Sequence, residues 1–298
     1  MDVRDLNLAL LVQAQGSIAG AARVLDLDPS SVSRSLSALE AELGVRLFHR
    51  TTRKLSTTEE GAAFLRRVGP LVEEMQAAAQ DAVGTRQQPT GTLRMTASVA
   101  FASQKIVPVL PAFAERYPEI SVEVISSDAN LDLVEQGIDL AVRLAPAPKG
   151  DLVCSKLMTT RYHLVASPAY LERRGAVETL NDLCDHDCLR YALPGISNVW
   201  RFRGTGTTSL DVNVTGRHKF SNALALLEAA RQGLGVALLA DWLVTQDLAD
   251  GRLIELCMDH IGTMTEFETA AYLLFPNRSY LPEKTRVMIE FLKESFGA

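Results

Sequence analysis

At 298 residues the chain is longer than one average domain, and its 47 % hydrophobic and 22 % charged residues are globular values that exclude wholesale disorder. The net charge of -6 does not advertise a nucleic-acid binder, yet residues 31–58 carry Arg34, Arg46, Arg50, Arg53 and Lys54 against only Glu40 and Glu42. Four cysteines without a Cys-x-x-Cys pair exclude a disulfide framework, and the most apolar stretch, Leu224 to Val244, is broken by Glu228, Arg231 and Asp241, so neither a membrane span nor a membrane partner is expected.

The first 58 residues read as short helices. Leu8, Leu11 and Val12 form an apolar stripe that runs out at Gly16. Ser17 caps a second helix whose buried face carries Ala21, Ala22 and Leu25. Asp26-Leu27-Asp28 turns the chain, and Asp28 with Pro29 opens a third helix that buries Val32, Leu36, Leu39 and Leu43 and stops at Gly44. Two helices joined by so short a turn have helix-turn-helix geometry. Leu47-Phe48 and Lys54-Leu55 pair as a hairpin around the basic tip from Arg50 to Arg53.

Thr57-x-x-Glu60 reads as a capping box for a long helix. Gly61, Leu65, Val68, Val72, Met75, Ala79 and Ala82 then alternate by four and three, a seam that suits either a second copy of the helix or the chain's own N-terminal domain. Pro70 falls inside it, and Gly84 to Gly91 is the best linker in the chain. Beyond Thr92 the pattern alternates: strand at 93–96, helix at 106–117, strand at 122–125, helix at 131–136 stopped by Gly137, and strand at 140–143. This rhythm predicts a mostly parallel sheet covered by helices, with any ligand beyond the C-terminal strand ends.

By this point the residues resemble a known family. Leu25, Val32-Ser33-Arg34, Leu39-Glu40, Glu42 through Phe48, Arg50, Thr51, Arg53 and Thr57 through Gly61 are closely similar to the winged helix-turn-helix of LysR-type transcriptional regulators. Gly91 to Arg94, Tyr117-Pro118, Gly137 to Ala141, Ala166 to Leu171, Asp187 to Leu189, Gly233 to Ala237 and Gly251 to Leu253 are similar to its effector domain. Two departures are visible. Pro29-Ser30 stand where the recognition helix often begins with Gln and Pro, and Leu239-Ala240 stand where Pro is common.

The resemblance implies an α/β multidomain protein: a winged helix-turn-helix at 1–58, a linker and dimerisation helix with hinge at 59–90, and a periplasmic-binding-protein-like effector domain of two subdomains at 91–298. It also implies self-association as a homodimer or, as a dimer of dimers, a homotetramer. The expected partners are double-stranded DNA bearing an interrupted dyad and a small-molecule effector, anionic or aromatic.

On the third helix, spacing of about 100° per residue sets Ser30, Arg34 and Ser37 opposite the core face. An outward Arg reaches a guanine edge or a phosphate, and the hydroxyls of Ser30, Ser31, Ser33 and Ser37 suit phosphate oxygens. Arg50, Arg53 and Lys54 would hold the backbone or enter the minor groove. The bland alternative for Arg34 is a solvated helix face. By the resemblance Ser98, Ser127 and Arg143 face the effector. The amides of Val99 and Ala100 are then available to a carboxylate, with Thr160 and Asn222 as partners from the other subdomain and Leu193 and Trp200 as apolar cover. An ion pair to Asp139 is the plain alternative for Arg143.

Cys184-x-His186-x-Cys188 lacks common zinc spacing and an evident fourth ligand, so no metal is expected, and redox sensing by these thiols is a minor alternative. No nucleophile elbow or glycine-rich phosphate loop accompanies Asp185, His186 and Asp187, so neither catalysis nor a cofactor is expected. A solute receptor would need an export signal, whereas the opening Asp2, Arg4 and Asp5 point to the cytoplasm.

Overall fold

The computed structural model describes residues 1–50, 55–83, 89–145, 152–193, 195–204, 209–276 and 281–297, leaving aside the side chains of 50, 73–74, 77–78, 80–83 and 145. Three helices open the chain: α1 (Val3–Gln15), α2 (Ile18–Leu25) and α3 (Pro29–Leu43). Local chemistry sets their ends. Asp2, Ser17 and Asp28 each accept a backbone N–H in the first turn of the helix they open, and Gly16 and Gly44 close α1 and α3 in the left-handed conformation. Val32, Leu36 and Leu39 of α3 meet Leu6, Ala9, Val12 and Ala21 in one core. Leu25, expected inside, is 42 % exposed, because α2 ends there and the chain turns away at Asp26.

A two-stranded wing follows, β1 (Phe48–Arg50) and β2 (Leu55–Thr57), antiparallel with Phe48 opposite Thr57. The long helix α4 spans Glu59–Val83. Its cap is Thr58 rather than Thr57: the Thr58 hydroxyl accepts the Gly61 N–H at 2.9 Å and donates to the Arg46 carbonyl at 2.6 Å, a tertiary bond that Thr57, committed to the wing, does not make. The first half of the expected seam lies on the chain's own domain, with Leu65 and Val72 buried among Leu6, Leu8 and Leu47. Leu71 and Met75 stay more than half exposed.

The remainder builds two subdomains. β3 (Gly91–Ala97) leads into α5 (Val99–Phe101), a π turn (Ala102–Ile106), a 3-10 turn (Val107–Val109) and α6 (Leu110–Arg116), so helical backbone begins earlier than the sequence pattern suggested. β4 (Ile120–Ser126), β5 (Leu140–Ala145) and β6 (Leu152–Thr159) complete the first pass. Between β4 and β5 the expected helix is a set of turns. The Asp132 carboxylate takes the N–H groups of Val134 and Glu135, and Gly137 adopts φ +61°.

The chain then crosses into the second subdomain: β7 (Tyr162–Ala166), α7 (Pro168–Arg174), a 3-10 turn (Leu180–Asp185), β8 (Cys188–Tyr191), β9 (Val199–Arg203), β10 (Ser209–Asn213), β11 (Lys219–Phe220), α8 (Ala223–Arg231), β12 (Val236–Ala240), α9 (Asp241–Ala249), β13 (Ile254–Glu255) and β14 (Ile261–Thr263). It returns as β15 (Ala270–Pro276) and ends in α10 (Glu283–Phe296), which packs on the first sheet.

Among the described residues the first sheet runs β4-β3-β5-β15-β6, with β4, β3 and β5 parallel and β15 antiparallel to both its neighbours. The second runs β10-β9-β14-β7-β12-β8-β11 and is mixed. The expectation of mostly parallel sheets therefore holds for β4, β3 and β5 and for the β11-β8-β12 part of the second sheet, while the other described pairings are antiparallel. Two crossings explain this, because β6 leaves the first sheet and β15 re-enters it between β5 and β6. The crossings touch where the Thr160 N–H donates to the Thr269 carbonyl at 3.0 Å, so the two subdomains hinge on a pair of adjacent strand ends.

Candidate functional sites

The α3 face opposite its core stripe is open in this chain. Ser30, Arg34 and Ser37 are exposed, and Ser31 and Ser33 half-buried. Arg34 lies back along its own helix, with Nη2 donating to the Ser31 hydroxyl at 3.1 Å and Nε to the Ser30 carbonyl at 3.4 Å. The Ser37 hydroxyl donates to the Ser33 carbonyl. These bonds are exposed, and an incoming acceptor could take over their donors. Hydrogen bonds from Ser30 hold the Asp28 carboxyl below its usual range, as befits a helix cap. Arg50 closes β1, but its side chain, together with all of Arg53 and Lys54, lies outside the described residues.

Sequence reasoning missed how the wing is held. Glu40, read there only as a charge against DNA, turns inward so that one carboxylate oxygen accepts the N–H groups of Leu47 (2.8 Å) and Phe48 (3.1 Å). Gly61 lets α4 seat directly on Leu47, since a Cβ there would stand 2.1 Å from the Leu47 carbonyl oxygen. Glu40 and Gly61 thus fix the wing's first strand relative to α3 and α4. The only sequence signal for Glu40 was its place inside the family motif.

The second site is a cleft between the subdomains, with a cavity volume of ≈ 160 Å³. One wall carries Ser98, Ala100, Ser127, Asp128 and Arg143, at the ends of β3, β4 and β5, where a parallel sheet presents its loops. The other wall carries Tyr162, Tyr191, Leu193, Ile196, Trp242 and Met264. Ser98 accepts the Phe101 N–H at 3.3 Å, and its own hydroxyl hydrogen is left to point elsewhere. The Ser127 hydroxyl likewise accepts from Ala129.

Arg143 does not pair with Asp139, which instead accepts the Arg94 N–H at 3.0 Å and lies 3.5 Å from Lys284. The guanidinium reaches the carbonyls of Ser127 and Ala129 at 3.4 and 3.3 Å. Burial pulls its pKa below the ordinary arginine value, and the negative charge of Asp128 acts the other way.

Asp128 was absent from the expected set. One of its carboxylate oxygens accepts the Val99 N–H at 3.2 Å and the other accepts from the Asn222 amide at 2.9 Å, across the cleft. The Val99 amide, expected to meet a ligand carboxylate, is therefore occupied by the protein's own. Asn222 also caps α8 through Oδ1, which accepts from Leu224 and Ala225. Thr160 does not line the cleft, being 2 % exposed at the hinge, and Trp200, expected as apolar cover, is buried in the core of the second subdomain. The tryptophan at the cleft is Trp242, edge-on to Phe101 with ring centroids 5.2 Å apart. Burial pushes the Tyr162 hydroxyl up to about 12 and raises Tyr191 as well.

Cys184, His186 and Cys188 do not converge on one point. Tyr170 takes the Asp187 N–H on its hydroxyl oxygen and shares a hydrogen bond with His186 Nδ1 at 3.1 Å, while Cys188 is buried with its thiol directed at the Leu183 carbonyl. Among the described residues no His, Cys, Asp and Glu cluster of metal-binding size is found, and no helix is long and apolar enough to cross a membrane.

Residues 3–62 match the family description "Bacterial regulatory helix-turn-helix protein, lysR family", and residues 86–297 match "LysR substrate binding domain". The chain is 32 % identical over 293 residues to the HTH-type transcriptional regulator CrgA of Neisseria meningitidis serogroup C, covering 98 % of this chain and 96 % of that one. It is 33 % identical over 295 residues to the probable HTH-type transcriptional regulator LtrA of Klebsiella pneumoniae, covering 99 % and 94 %. A solved structure of CrgA from Neisseria meningitidis, described as a LysR-type transcriptional regulator, aligns over the whole of both chains with a TM-score of 0.63 and 30 % identity.

Proposed function

Since the chain belongs to the LysR family of DNA-binding transcriptional regulators and carries that family's substrate-binding domain, we propose that the exposed face of α3 reads an operator and that a small molecule held in the cleft adjusts how the operator is gripped. The observation that carries this reading is the orientation of α3. Its apolar stripe is consumed by the domain core, which leaves Arg34 and its serine neighbours facing outward at the helix start.

In this reading Arg34 contacts a guanine edge or a phosphate, and Ser30, Ser31, Ser33 and Ser37 supply hydroxyls to the backbone. Arg50, Arg53 and Lys54 of the wing add phosphate or minor-groove contacts. Leu71 and Met75, one turn apart and exposed on α4, support pairing with a second copy, and two copies would read an interrupted dyad. The cleft acts by binding and not by catalysis, with Ser98, Ser127, Arg143 and Asn222 among its polar groups. Closure about the Thr160–Thr269 contact would alter the spacing of paired recognition helices, and hence operator affinity or bending. Acting on chromosomal DNA, the protein works in the cytoplasm.

Genomic fragments selected by the purified full-length protein would supply the operator. Arg34→Ala should then weaken operator binding by about 1–3 kcal/mol in a gel-shift titration at physiological salt. Unchanged affinity would remove α3 from the interface.

A further inference from the structure

Resting on the reading of the cleft as an effector site, the identity of its two charges narrows what it holds. Among the described lining residues only Asp128 and Arg143 carry a formal charge. They share one wall, near the ends of β4 and β5 on either side of β3, and yet form no ion pair with each other. Each is secured by neutral groups. Arg143 uses two of its five N–H donors on carbonyls at 3.3 and 3.4 Å, long contacts for a half-buried cation. Asp128 takes one N–H on each oxygen, from Val99 and Asn222, which leaves a lone-pair direction on each oxygen for a further donor.

A simple monoanion would satisfy Arg143 but stand against Asp128, and an amine would do the reverse. Both charges are answered at once by a molecule that carries an anionic and a cationic end of its own. Between and opposite them lie Leu144, Tyr162, Leu193, Ile196, Trp242 and Met264, which suit an apolar body. We propose that the effector is a small zwitterion with an apolar side chain, of the α-amino acid class, its carboxylate toward Arg143 and its ammonium toward Asp128. The Asp128–Asn222 bond couples this site to closure, because it already ties the first subdomain to the start of α8 in the second.

The test uses the full-length chain with L-leucine, L-methionine and L-phenylalanine, each beside the carboxylic acid lacking its ammonium and the amine lacking its carboxylate. Thermal-shift and calorimetric titration should show at least one amino acid binding about tenfold or more tightly than either truncated analogue, the loss expected for one charge-assisted hydrogen bond. Asp128→Asn should abolish the preference over the carboxylic acid, and Arg143→Gln the preference over the amine. The analogue series on the unaltered chain stands even if a variant fails to fold. The proposal is overturned if a carboxylic acid binds as tightly as its amino acid, if Asp128→Asn leaves the preference intact, or if none of the three amino acids binds. A carboxylate that binds and shifts operator affinity would defeat the zwitterion while leaving the effector reading standing. Failure of every compound in a broad metabolite screen to move operator affinity would defeat the effector reading itself.

Discussion

Gly61→Ala is a one-methyl perturbation with a large expected consequence. The added Cβ would stand 2.1 Å from the Leu47 carbonyl oxygen and 2.6 Å from its Cα, and both are backbone atoms that no rotamer change can move. Relief requires α4 or the first wing strand to retreat by roughly 1 Å, and overpacking of this kind costs about 1–3 kcal/mol. The retreat also strains the bond from the Thr58 N–H to that same carbonyl, 3.0 Å long, which adds about 0.5–1.5 kcal/mol. The N-terminal domain should therefore lose about 2–4 kcal/mol, or very roughly 10–25 °C in its midpoint for a unit of this size. The assay separates domains without cutting the chain. Both tryptophans, Trp200 and Trp242, lie in the effector domain, so their fluorescence should melt as in the parent, while far-ultraviolet circular dichroism gains an earlier helical transition. Operator affinity should fall as the wing shifts. A Gly61→Ala chain whose helical melt coincides with the parent's would refute the argument that α4 seats on the Leu47 backbone.

Glu40→Ala removes the acceptor of two wing N–H groups and should lower N-terminal stability by about 1–3 kcal/mol, with Glu40→Gln, which keeps a carbonyl oxygen, milder. Equal melts for Glu40→Ala and the parent would show that the wing anchors elsewhere. In alkali, Tyr162 and Tyr191 have folded values raised above the unfolded value of about 10, so the neutral forms favour the fold. Their contribution is intact below roughly pH 10 and is lost as pH climbs toward the folded values, Tyr162's being about 12. Tyrosinate absorbance should show these two among the six tyrosines silent until the effector domain melts. Burial pushes the Cys188 thiol up to about 12, so at mildly alkaline pH a thiol reagent should modify exposed Cys184 in the native chain and Cys188 only on unfolding. Native labelling of Cys188 would contradict its burial.

The sequence by itself determines what neighbours within a few positions decide. Asp28, Pro29 and Gly44 bracket α3, and the 3.6-residue recurrence of Val32, Leu36 and Leu39 orients it, because caps and helix faces depend on groups no more than one turn away. That was enough to turn Arg34 outward, and the motif residues between Val32 and Phe48 carried much of the family resemblance. Ser98, Ser127 and Arg143 were reachable in the same way, as polar residues at strand ends. Other outcomes waited on distant chain. Thr58 displaced Thr57 as the cap of α4 because the Arg46 carbonyl came within reach of one hydroxyl and not the other. Residues 131–137 turned instead of coiling, with Gly137 lying so close to the Arg66 carbonyl that a Cβ would stand 2.9 Å from it, and Pro70 has no N–H with which to claim that carbonyl. Asp128 became the hub of the cleft through partners 29 and 94 residues away. No periodicity encodes such pairings. They exist only once β15 has slotted between β5 and β6 and brought two subdomains face to face, since the energy that selects them comes from closing that surface and not from any one segment's preference.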